Sequence, residues 1–381
     1  MTSFSLGKIC ANGREVYVSS RLHTDRRWWY WDWETCSDVA PDIEVIDEVQ
    51  GPLSLNHLLV KVDKDPEASE VSQWIKSCAG PAGATAWVET IDLSRQWLQA
   101  CSSSHTQCIH RAKDTTWFPT RVLDLGPLEP AMPDETTVKI IGREQVVPGN
   151  RYVTLSHRWT PFIPKLTSQN LEAWSHQLPV EGLTKTFCDF ITVSRLLGFR
   201  YAWIDSLCII QESDHGGSDW SDECLTMDLV YRNSFCNFSA DWGTHSDGLF
   251  LDRKARQFDL PIVRVGVPNT EDNEKPESNY LLIDKSTWQL EVTDSPINSR
   301  GWVLQERFLS PRVLHFCQGE VFFECCEVSR SERLRQPLPV IDAVAFQPFK
   351  NFGSNFVGTY NTAACHQVWN RIPEVYTSLS W

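Results

Sequence analysis

The sequence lacks an excess of positive charge, which excludes one broad class of partner. Its 381 residues include 35 Lys and Arg against 49 Asp and Glu, giving a formal net charge of −14. Proteins that bind nucleic acid use basic surfaces that displace counterions from the phosphates. A chain this acidic has no domain-wide basic field, so we expect no nucleic-acid partner.

Long apolar runs are missing as well. A membrane-spanning helix needs about 20 consecutive apolar residues, and no stretch approaches this. Residues 1–18 contain no apolar core followed by a small-residue cleavage site, so no secretory signal is expected. The thirteen cysteines are odd in number and scattered, which favours free thiols over a disulfide framework. We therefore expect a cytoplasmic protein without a membrane span.

Several motifs of common enzyme classes are absent too. The chain has no Walker phosphate loop, no G-x-G-x-x-G, no H-E-x-x-H and no G-x-S-x-G. These absences argue against a familiar NTPase, Rossmann dehydrogenase, zinc protease or serine hydrolase.

The centre of the chain, in contrast, carries a regular alternation of strand and helix patterns. Residues 151–159, 200–210 and 234–242 are predicted strands, and 183–199 and 219–234 are predicted helices. This alternation predicts an α/β fold with a parallel sheet flanked by helices.

In such a sheet the ligand site lies where the carboxyl ends of the strands turn into loops. Residues 156–159, 205–211 and 240–244 follow the three predicted strands. We therefore expect them to share one edge of the sheet, with Asp205, Ser206 and Cys208 among them.

Composition divides the chain into four segments. The first, 1–126, contains the aromatic run "RRWWYWDWETC", expected to form a strand or hairpin, and a helical lead-in. A linker with a hairpin is expected at 127–150, the alternating α/β domain at 151–326, and a weakly periodic tail at 327–381.

Two groups of cysteine and histidine are candidates for chemistry. Cys101, His105, Cys108 and His110 form C-x3-H-x2-C-x-H, which can hold zinc but also fits a buried helix end. Because the spacing is irregular and no second ligand pair follows at a finger-like distance, we expect no metal. Cys208 can pair with His157 as a nucleophile, although a thiol between apolar neighbours is more often an inert core residue.

Glu223 is the sharper candidate. On a continuous 219–234 helix it shares one face with apolar residues such as Met227 and Val230. A carboxylate there is costly to bury unless it is paired or lines a cavity. The alternative is a capping-box acid that bonds back to the helix start. Residue chemistry alone leaves both interpretations open.

The stretch "RGWVLQERFLSPR" carries four charged residues, Arg300, Glu306, Arg307 and Arg312. They can clamp phosphates or contact another subunit. Solvated helix faces with an internal ion pair are the commoner outcome for such a pattern, and this is the interpretation we favour.

Together these blocks resemble a known family. "RYVTLSHRW", "LTKTFCDFITVSRLLGFRYAWIDSLCIIQES", "DWSDECLTMDLVYRNS", "GLFLDR" and "SRGWVLQERFLSPRVLHF" are similar, in order and spacing, to the fungal heterokaryon-incompatibility (HET) domain. The resemblance covers 100–126 and 151–326. "VWNRIPEVYTSLSW" looks like the start of a C-terminal region found in longer members, so the tail is expected to be the beginning of a missing region.

The resemblance implies a role in fungal non-self recognition and cell death. HET domains are regarded as distant relatives of TIR domains, which implies a flavodoxin-like sheet and NAD glycohydrolase activity, with NAD as substrate and no cofactor required. "DWSDEC" resembles the TIR helix that carries the catalytic glutamate, which places that role on Glu223. The alternative is a non-enzymatic signalling or oligomerisation module that associates with itself or with another incompatibility protein.

The same comparison gives the expected contacts of the nucleotide. Arg158 and Arg300 are expected to meet the pyrophosphate, Trp159 or Trp220 to stack on a ring, and Asp205 or Ser206 to position the ribose. These six residues and Glu223 are the predicted site.

Overall fold

A computed structural model of the chain describes residues 86–111, 116–128, 137–211, 218–243, 246–249 and 286–332, together with eight strands outside these ranges. The chain divides into two compact units. The first consists of Met1–Ala86 and Ala255–Thr287, and the second of Trp87–Lys254 and Trp288–Trp381.

The first unit contains an eight-stranded sheet. Its strands are β1 (Thr2–Ala11), β2 (Arg14–His23), β3 (Trp28–Trp33), β4 (Val45–Ile46), β5 (Val49–Gln50), β6 (His57–Val62), β12 (Ile262–Val265) and β13 (Ser278–Asp284), in the order β4-β6-β13-β12-β3-β2-β1-β5. β3 lies in the aromatic run and pairs antiparallel with β2, which confirms the predicted strand.

The second unit has its own eight-stranded sheet. Its strands are β7 (Arg121–Asp124), β8 (Lys139–Gly142), β9 (Tyr152–Ser156), β10 (Tyr201–Trp203), β11 (Cys236–Ala240), β14 (Arg312–Phe316), β15 (Val321–Cys325) and β16 (Ser329–Ser331). Their order is β16-β15-β14-β11-β9-β10-β7-β8. The middle four are parallel, and an antiparallel pair flanks them on each side. A mixed α/β fold is therefore confirmed.

The described helices lie between these strands and before them along the chain, and two of them, Ala86–Ser104 and Ser286–Trp288, begin with residues of the first unit. They are α1 (Ala86–Ser104), α2 (Thr106–Arg111), α3 (Ser168–His176), α4 (Lys185–Leu196), α5 (Asp205–Cys208), α6 (Ser218–Cys224), α7 (Met227–Asn233), α8 (Ser286–Trp288) and α9 (Gly301–Leu309). Short 3-10 turns occur at Arg143–Gln145, Val180–Gly182 and Pro296–Ser299, and a π-helical turn at Gln289–Thr293.

The parallel strands are wound in two directions. From β9 the chain first passes to β10, which lies on one side of β9. It then crosses back to β11 on the other side of β9 and continues outward to β14. The winding therefore reverses between β9 and β11, and in open α/β sheets ligands bind at such a switch point. The flavodoxin-like or TIR-like version of this fold class stays a prediction.

The core explains why the central elements form. Every residue of β9, β11 and β14 is buried, as expected for strands covered on both faces. α4 begins at Thr184, whose side chain accepts a hydrogen bond from the Phe187 amide, and ends before Gly198, which has a φ of +89°. Phe190 of α4 meets Phe238 of β11 edge-on at 5.3 Å. The helix predicted at 183–199 is thus confirmed.

Two local predictions are corrected. The helix expected over 219–234 is two helices, because the chain turns at Leu225 and Thr226, and the Thr226 amide and hydroxyl both donate to the Glu223 carbonyl. The hairpin expected after residue 137 is also wrong. A 3-10 turn follows β8, and the strand that pairs with β8 is β7, which precedes it in the chain.

The division of the chain into the segments 1–126, 127–150, 151–326 and 327–381 stays a prediction. Strands from different segments nevertheless pair within one sheet. β7 comes from the first predicted segment and β8 from the predicted linker, yet both belong to the sheet that holds β9 to β14. Among the described residues, no helix is long and apolar enough to cross a membrane.

Candidate functional site

A depression lies at the switch point of the second sheet. Its lining residues are His157, Arg158, Thr184, Thr186, Phe187, Ala240, Trp242 and Gly243. These residues follow β9, follow or end β11, or begin α4, so the depression lies at the carboxyl edge of the parallel strands. It is small and partly open to solvent.

A buried carboxyl group lies beside the last residue of β9. Glu306 of α9 is 6% exposed and accepts a hydrogen bond from the Ser156 hydroxyl. Its side chain is also hydrogen-bonded to Tyr231 of α7. Asn237 of β11 donates to the Ser156 oxygen at 2.8 Å, which fixes this hydroxyl between the two strands. The carboxyl is therefore held directly from β9 and α7, and indirectly from β11 through Ser156.

This environment changes the acidity of Glu306. Burial raises the pKa of the Glu306 carboxyl from an ordinary 4.5 to about 7, and the negative charge of Asp205 acts in the same direction. The hydrogen bonds from Ser156 and Tyr231 and the charge of Arg300 oppose the rise. Near neutral pH the group therefore exists in both protonation states, which suits an acid–base catalyst.

Asp205 organises a second group of side chains at the same edge. Its carboxylate accepts the indole N–H of Trp159 at 2.7 Å and the Ser206 amide at 2.7 Å. The Nε2 atom of His157 lies 3.7 Å from an Asp205 oxygen. Burial lowers the pKa of His157, while Asp205 raises it. The hydroxyl of Ser206 is fully buried and has no hydrogen-bond partner among the described residues.

Two of the predicted arginines also lie at this edge. Arg300, which precedes α9, donates to the His157 carbonyl at 2.7 Å. Arg158 is exposed, lines the depression and donates to the Gly243 carbonyl at 3.3 Å. The fold thus brings together five of the predicted residues at the carboxyl edge, namely Arg158, Trp159, Asp205, Ser206 and Arg300. Their functional roles stay predictions.

Glu223 lies in a neighbouring cluster centred on an arginine. Its side chain is buried, and one of its oxygens is 3.9 Å from the Arg121 guanidinium. Arg121 also pairs with Asp219 at 2.6 Å and donates to the Cys208 carbonyl at 2.8 Å. The carboxylate of Glu223 therefore faces a cation from β7. Its catalytic role stays a prediction.

Two further predictions concern residues next to this cluster. Trp220 is 50% exposed on α6, so its stacking role also stays a prediction. Cys208 is buried, and burial raises the pKa of its thiol to about 12. A thiol with so high a pKa holds its proton at neutral pH and is a poor nucleophile, which supports the inert alternative.

A second buried charged network lies behind the site and was not predicted. His315 of β14 is fully buried, with Nδ1 2.9 Å from Asp241 and Nε2 3.1 Å from Glu324. Arg307 of α9 pairs with Glu324 at 2.8 Å. Each ring nitrogen of His315 thus contacts a different carboxyl group.

These contacts correct the interpretation of the stretch at 300–312. Glu306, Arg307 and Arg312 are 6%, 4% and 3% exposed, so they do not form solvated helix faces. The ion pair expected within the stretch is also wrong, because Arg307 pairs with Glu324, 17 residues away and outside the stretch. Glu306 itself has a hydroxyl neighbour and a phenol neighbour, which no spacing in the sequence reveals.

Comparison with known proteins gives one match. No curated protein and no solved structure matches this chain. The family model described as "Heterokaryon incompatibility protein (HET)" matches residues 152–306. The matched range begins at β9, includes the switch point and ends at Glu306, so the candidate site lies within it. The HET part of the resemblance is confirmed for this central part of the chain, which is similar to the heterokaryon-incompatibility family.

Proposed function

We propose that the HET domain acts in heterokaryon incompatibility as a hydrolase of the nicotinamide–ribose bond of NAD, with Glu306 as its catalytic carboxyl group. One observation carries this proposal. Glu306 is a buried acid with a raised pKa at the carboxyl edge of a parallel sheet, hydrogen-bonded to Ser156 and Tyr231. Strongly perturbed acids in such places are enriched at functional sites.

The reaction needs one carboxylate close to the ribose. The bond between C1′ and the pyridinium nitrogen breaks, its electron pair leaves with nicotinamide, and the ribose develops oxocarbenium character. An ionised Glu306 stabilises this positive charge and accepts a proton from the water that attacks C1′. The products are nicotinamide, ADP-ribose and a proton.

Glu306 is better suited to this role than Glu223. The carboxylate of Glu223 faces the fixed cation Arg121, which already offsets its charge. Glu306 forms no ion pair among the described residues. Ser156 and Tyr231 donate hydrogen bonds to it and Arg300 acts only through its charge, so more of the charge of the ionised carboxylate is left to act on a developing cation. The assay below compares both residues.

Several residues at the same edge suit a nucleotide. The depression lies at the switch point of the parallel strands, which is where ligands bind in open α/β sheets. Arg158 supplies a cation at its wall. The partly exposed Asp205 carboxylate is a hydrogen-bonding group for a ribose diol, and the Ser206 amide donates to it and holds it in place.

The test is nicotinamide release from NAD by the purified protein, measured by chromatography at high protein concentration and with a crowding agent. We expect the wild-type chain to release nicotinamide and Glu306→Gln to lose about 10²–10⁴-fold in rate. Glu172→Gln, at an exposed position on α3, is the control and retains the full rate. Retained activity in Glu306→Gln together with loss in Glu223→Gln would transfer the role to Glu223.

A non-enzymatic signalling module remains the second candidate, and one observation favours it. Phe162, which follows the β9 edge, is 77% exposed, and Leu225, between α6 and α7, is 82% exposed. Exposed apolar side chains of this size suit a surface for self-association. If the wild-type chain leaves NAD intact while Phe162→Ser, but not Glu306→Gln, abolishes toxicity in a fungal host, this second function is supported.

A further inference from the structure

Four side chains from two distant parts of the chain converge on one point. They are Cys101 of α1, His105 between α1 and α2, Cys108 of α2 and Cys325 at the end of β15. Their ligand atoms, one from each residue, all lie within 4.8 Å of one another. The Nδ1 atom of His105 is 3.3 Å from the sulfur of Cys325, although 220 residues separate the two along the chain.

The polypeptide around Cys325 donates hydrogen bonds to its sulfur. The amides of Glu327 and Val328 point to this atom at 3.5 and 3.4 Å. The sulfur of Cys101 receives the Nε–H of Arg312 at 3.1 Å. Donors aimed at sulfur stabilise thiolates more than thiols, and thiolates are the form that binds a metal ion. These contacts are a second observation pointing to a cation between the sulfurs.

The surroundings are closed to solvent. Cys101, Cys108 and Cys325 are fully buried, and His105 is partly exposed. The Glu327 carboxylate accepts the Gln107 amide at 2.7 Å, which fixes the start of α2 against the turn that follows β15. The ligands are therefore held by a rigid helix end on one side and a hydrogen-bonded turn on the other.

We infer that Cys101, His105, Cys108 and Cys325 bind a structural zinc ion. Three sulfurs and one imidazole nitrogen form a four-ligand set typical of structural zinc. Zinc–sulfur bonds of about 2.3 Å at tetrahedral angles place ligand sulfurs about 3.8 Å apart, so binding needs a contraction of about 1 Å at most. With four protein ligands the ion has no open position for a substrate, which makes it structural rather than catalytic.

The location of the ion indicates that it cross-links two distant parts of the chain. Cys325 pairs with Arg312, the first residue of β14, so the zinc lies at the amino edge of the parallel strands. Glu306 and the depression lie at the opposite edge. The ion connects the helices that precede the HET domain to the hairpin that follows it, and so closes a loop of more than two hundred residues. A cross-link over so long a loop reduces the entropy of the unfolded chain.

The sequence pattern identified only part of this site. It contained Cys101, His105 and Cys108, and it offered His110 as the fourth member, whose side chain lies outside the described residues. Cys325 supplies a fourth ligand from the other end of the domain.

The first test is the metal content of the full chain purified without chelator, measured by mass spectrometry. We expect about one zinc ion per chain, as four ligands for one ion imply, and a content near background in Cys325→Ser. The matched control is Cys236→Ser, a buried cysteine that begins β11 and is outside the cluster. It should retain its zinc.

A second variant keeps the test decisive if Cys325→Ser fails to fold. His105→Cys converts the set to four sulfurs, which still binds zinc. When cobalt replaces zinc, wild type should show the intense visible bands of tetrahedral thiolate coordination, and His105→Cys should shift them. The inference is overturned if the wild-type chain carries no stoichiometric metal after growth with zinc. It is also overturned if cobalt gives no thiolate bands, or if Cys236→Ser loses as much zinc as Cys325→Ser.

Discussion

The two edges of the second sheet differ in the chemistry they present. The carboxyl edge carries the oxygen groups of Ser156, Asp205 and Glu306 and a depression, lined by His157 and Arg158, that is partly open to solvent. At the amino edge, three buried sulfurs and one imidazole face one another. Oxygen groups beside an opening suit proton transfer, and enclosed soft ligands suit a permanent ion. The proposed catalytic site and the proposed zinc site therefore lie at opposite edges of one sheet, and we expect a substitution at one edge to leave the other unchanged.

The largest expected effect is a loss of catalytic rate at the carboxyl edge that leaves the zinc site at the amino edge intact. Glu306→Gln keeps the shape of the side chain and removes its charge, so we expect about 10²–10⁴-fold slower nicotinamide release, a zinc content close to wild type and a melting temperature no lower than wild type. Chromatographic rate, metal content and thermal melting on the same sample provide the comparison. Loss of zinc in Glu306→Gln would show that the edges are coupled.

The second prediction concerns the buried charged network of Arg307, Glu324, His315 and Asp241. Arg307→Met removes the cation that pairs with Glu324, leaving buried carboxylates with less positive charge nearby. Breaking a buried pair in this way costs about 3–5 kcal/mol, to be measured by urea unfolding. Arg232→Met breaks a half-exposed pair with Asp228 on α7 and should cost less than about 1 kcal/mol. Equal costs would contradict the buried network.

The third prediction is that the free energy of unfolding depends on pH through Glu306 at the carboxyl edge. The pKa of Glu306 is about 7 in the folded protein and 4.5 ordinarily, so the folded state binds its proton more tightly. Stability therefore falls as pH rises through the window from 4.5 to about 7, by about 3 kcal/mol at 1.4 kcal/mol per pKa unit. In Glu306→Gln this component should vanish. Unfolding curves of both proteins across the window measure the difference, and parallel curves would refute the assignment.

The smallest effect is expected from the neighbouring acid. Glu223→Gln keeps the packing beside Arg121, while Asp219 still pairs with that arginine. We expect nicotinamide release within about two-fold of wild type and a stability change of about 1 kcal/mol or less. A larger fall in rate at unchanged stability would restore the role first expected for Glu223.

Sequence patterns predicted what depends on local periodicity. The strand at 151–159, the helix ending at Gly198 and the shared edge of Trp159 and Asp205 all follow from alternation and from the geometry of parallel sheets. The break at Leu225 was missed because an apolar stripe continues across it and no glycine or proline marks the turn.

Residues that meet across the chain escaped prediction for a different reason. Glu306 meets Ser156 from 150 residues away, and Cys325 meets His105 from 220 residues away. Such contacts are fixed by strand order, and a single sequence does not reveal which strand lies next to which. The burial of Glu306 was also hidden, because an acid beside an arginine is typical of a solvated helix face.

The division of the chain into two units has a consequence for its synthesis. The chain passes between the units three times, after Ala86, Lys254 and Thr287. β3 and β6 therefore leave the ribosome long before their partners β12 and β13, and the strands from β14 onward come later still. The first sheet is complete only when β13 has been synthesised, and the second only when β16 has been synthesised. Until the final third of the chain is made, the nascent protein therefore exposes unpaired strand edges, to which a chaperone can bind.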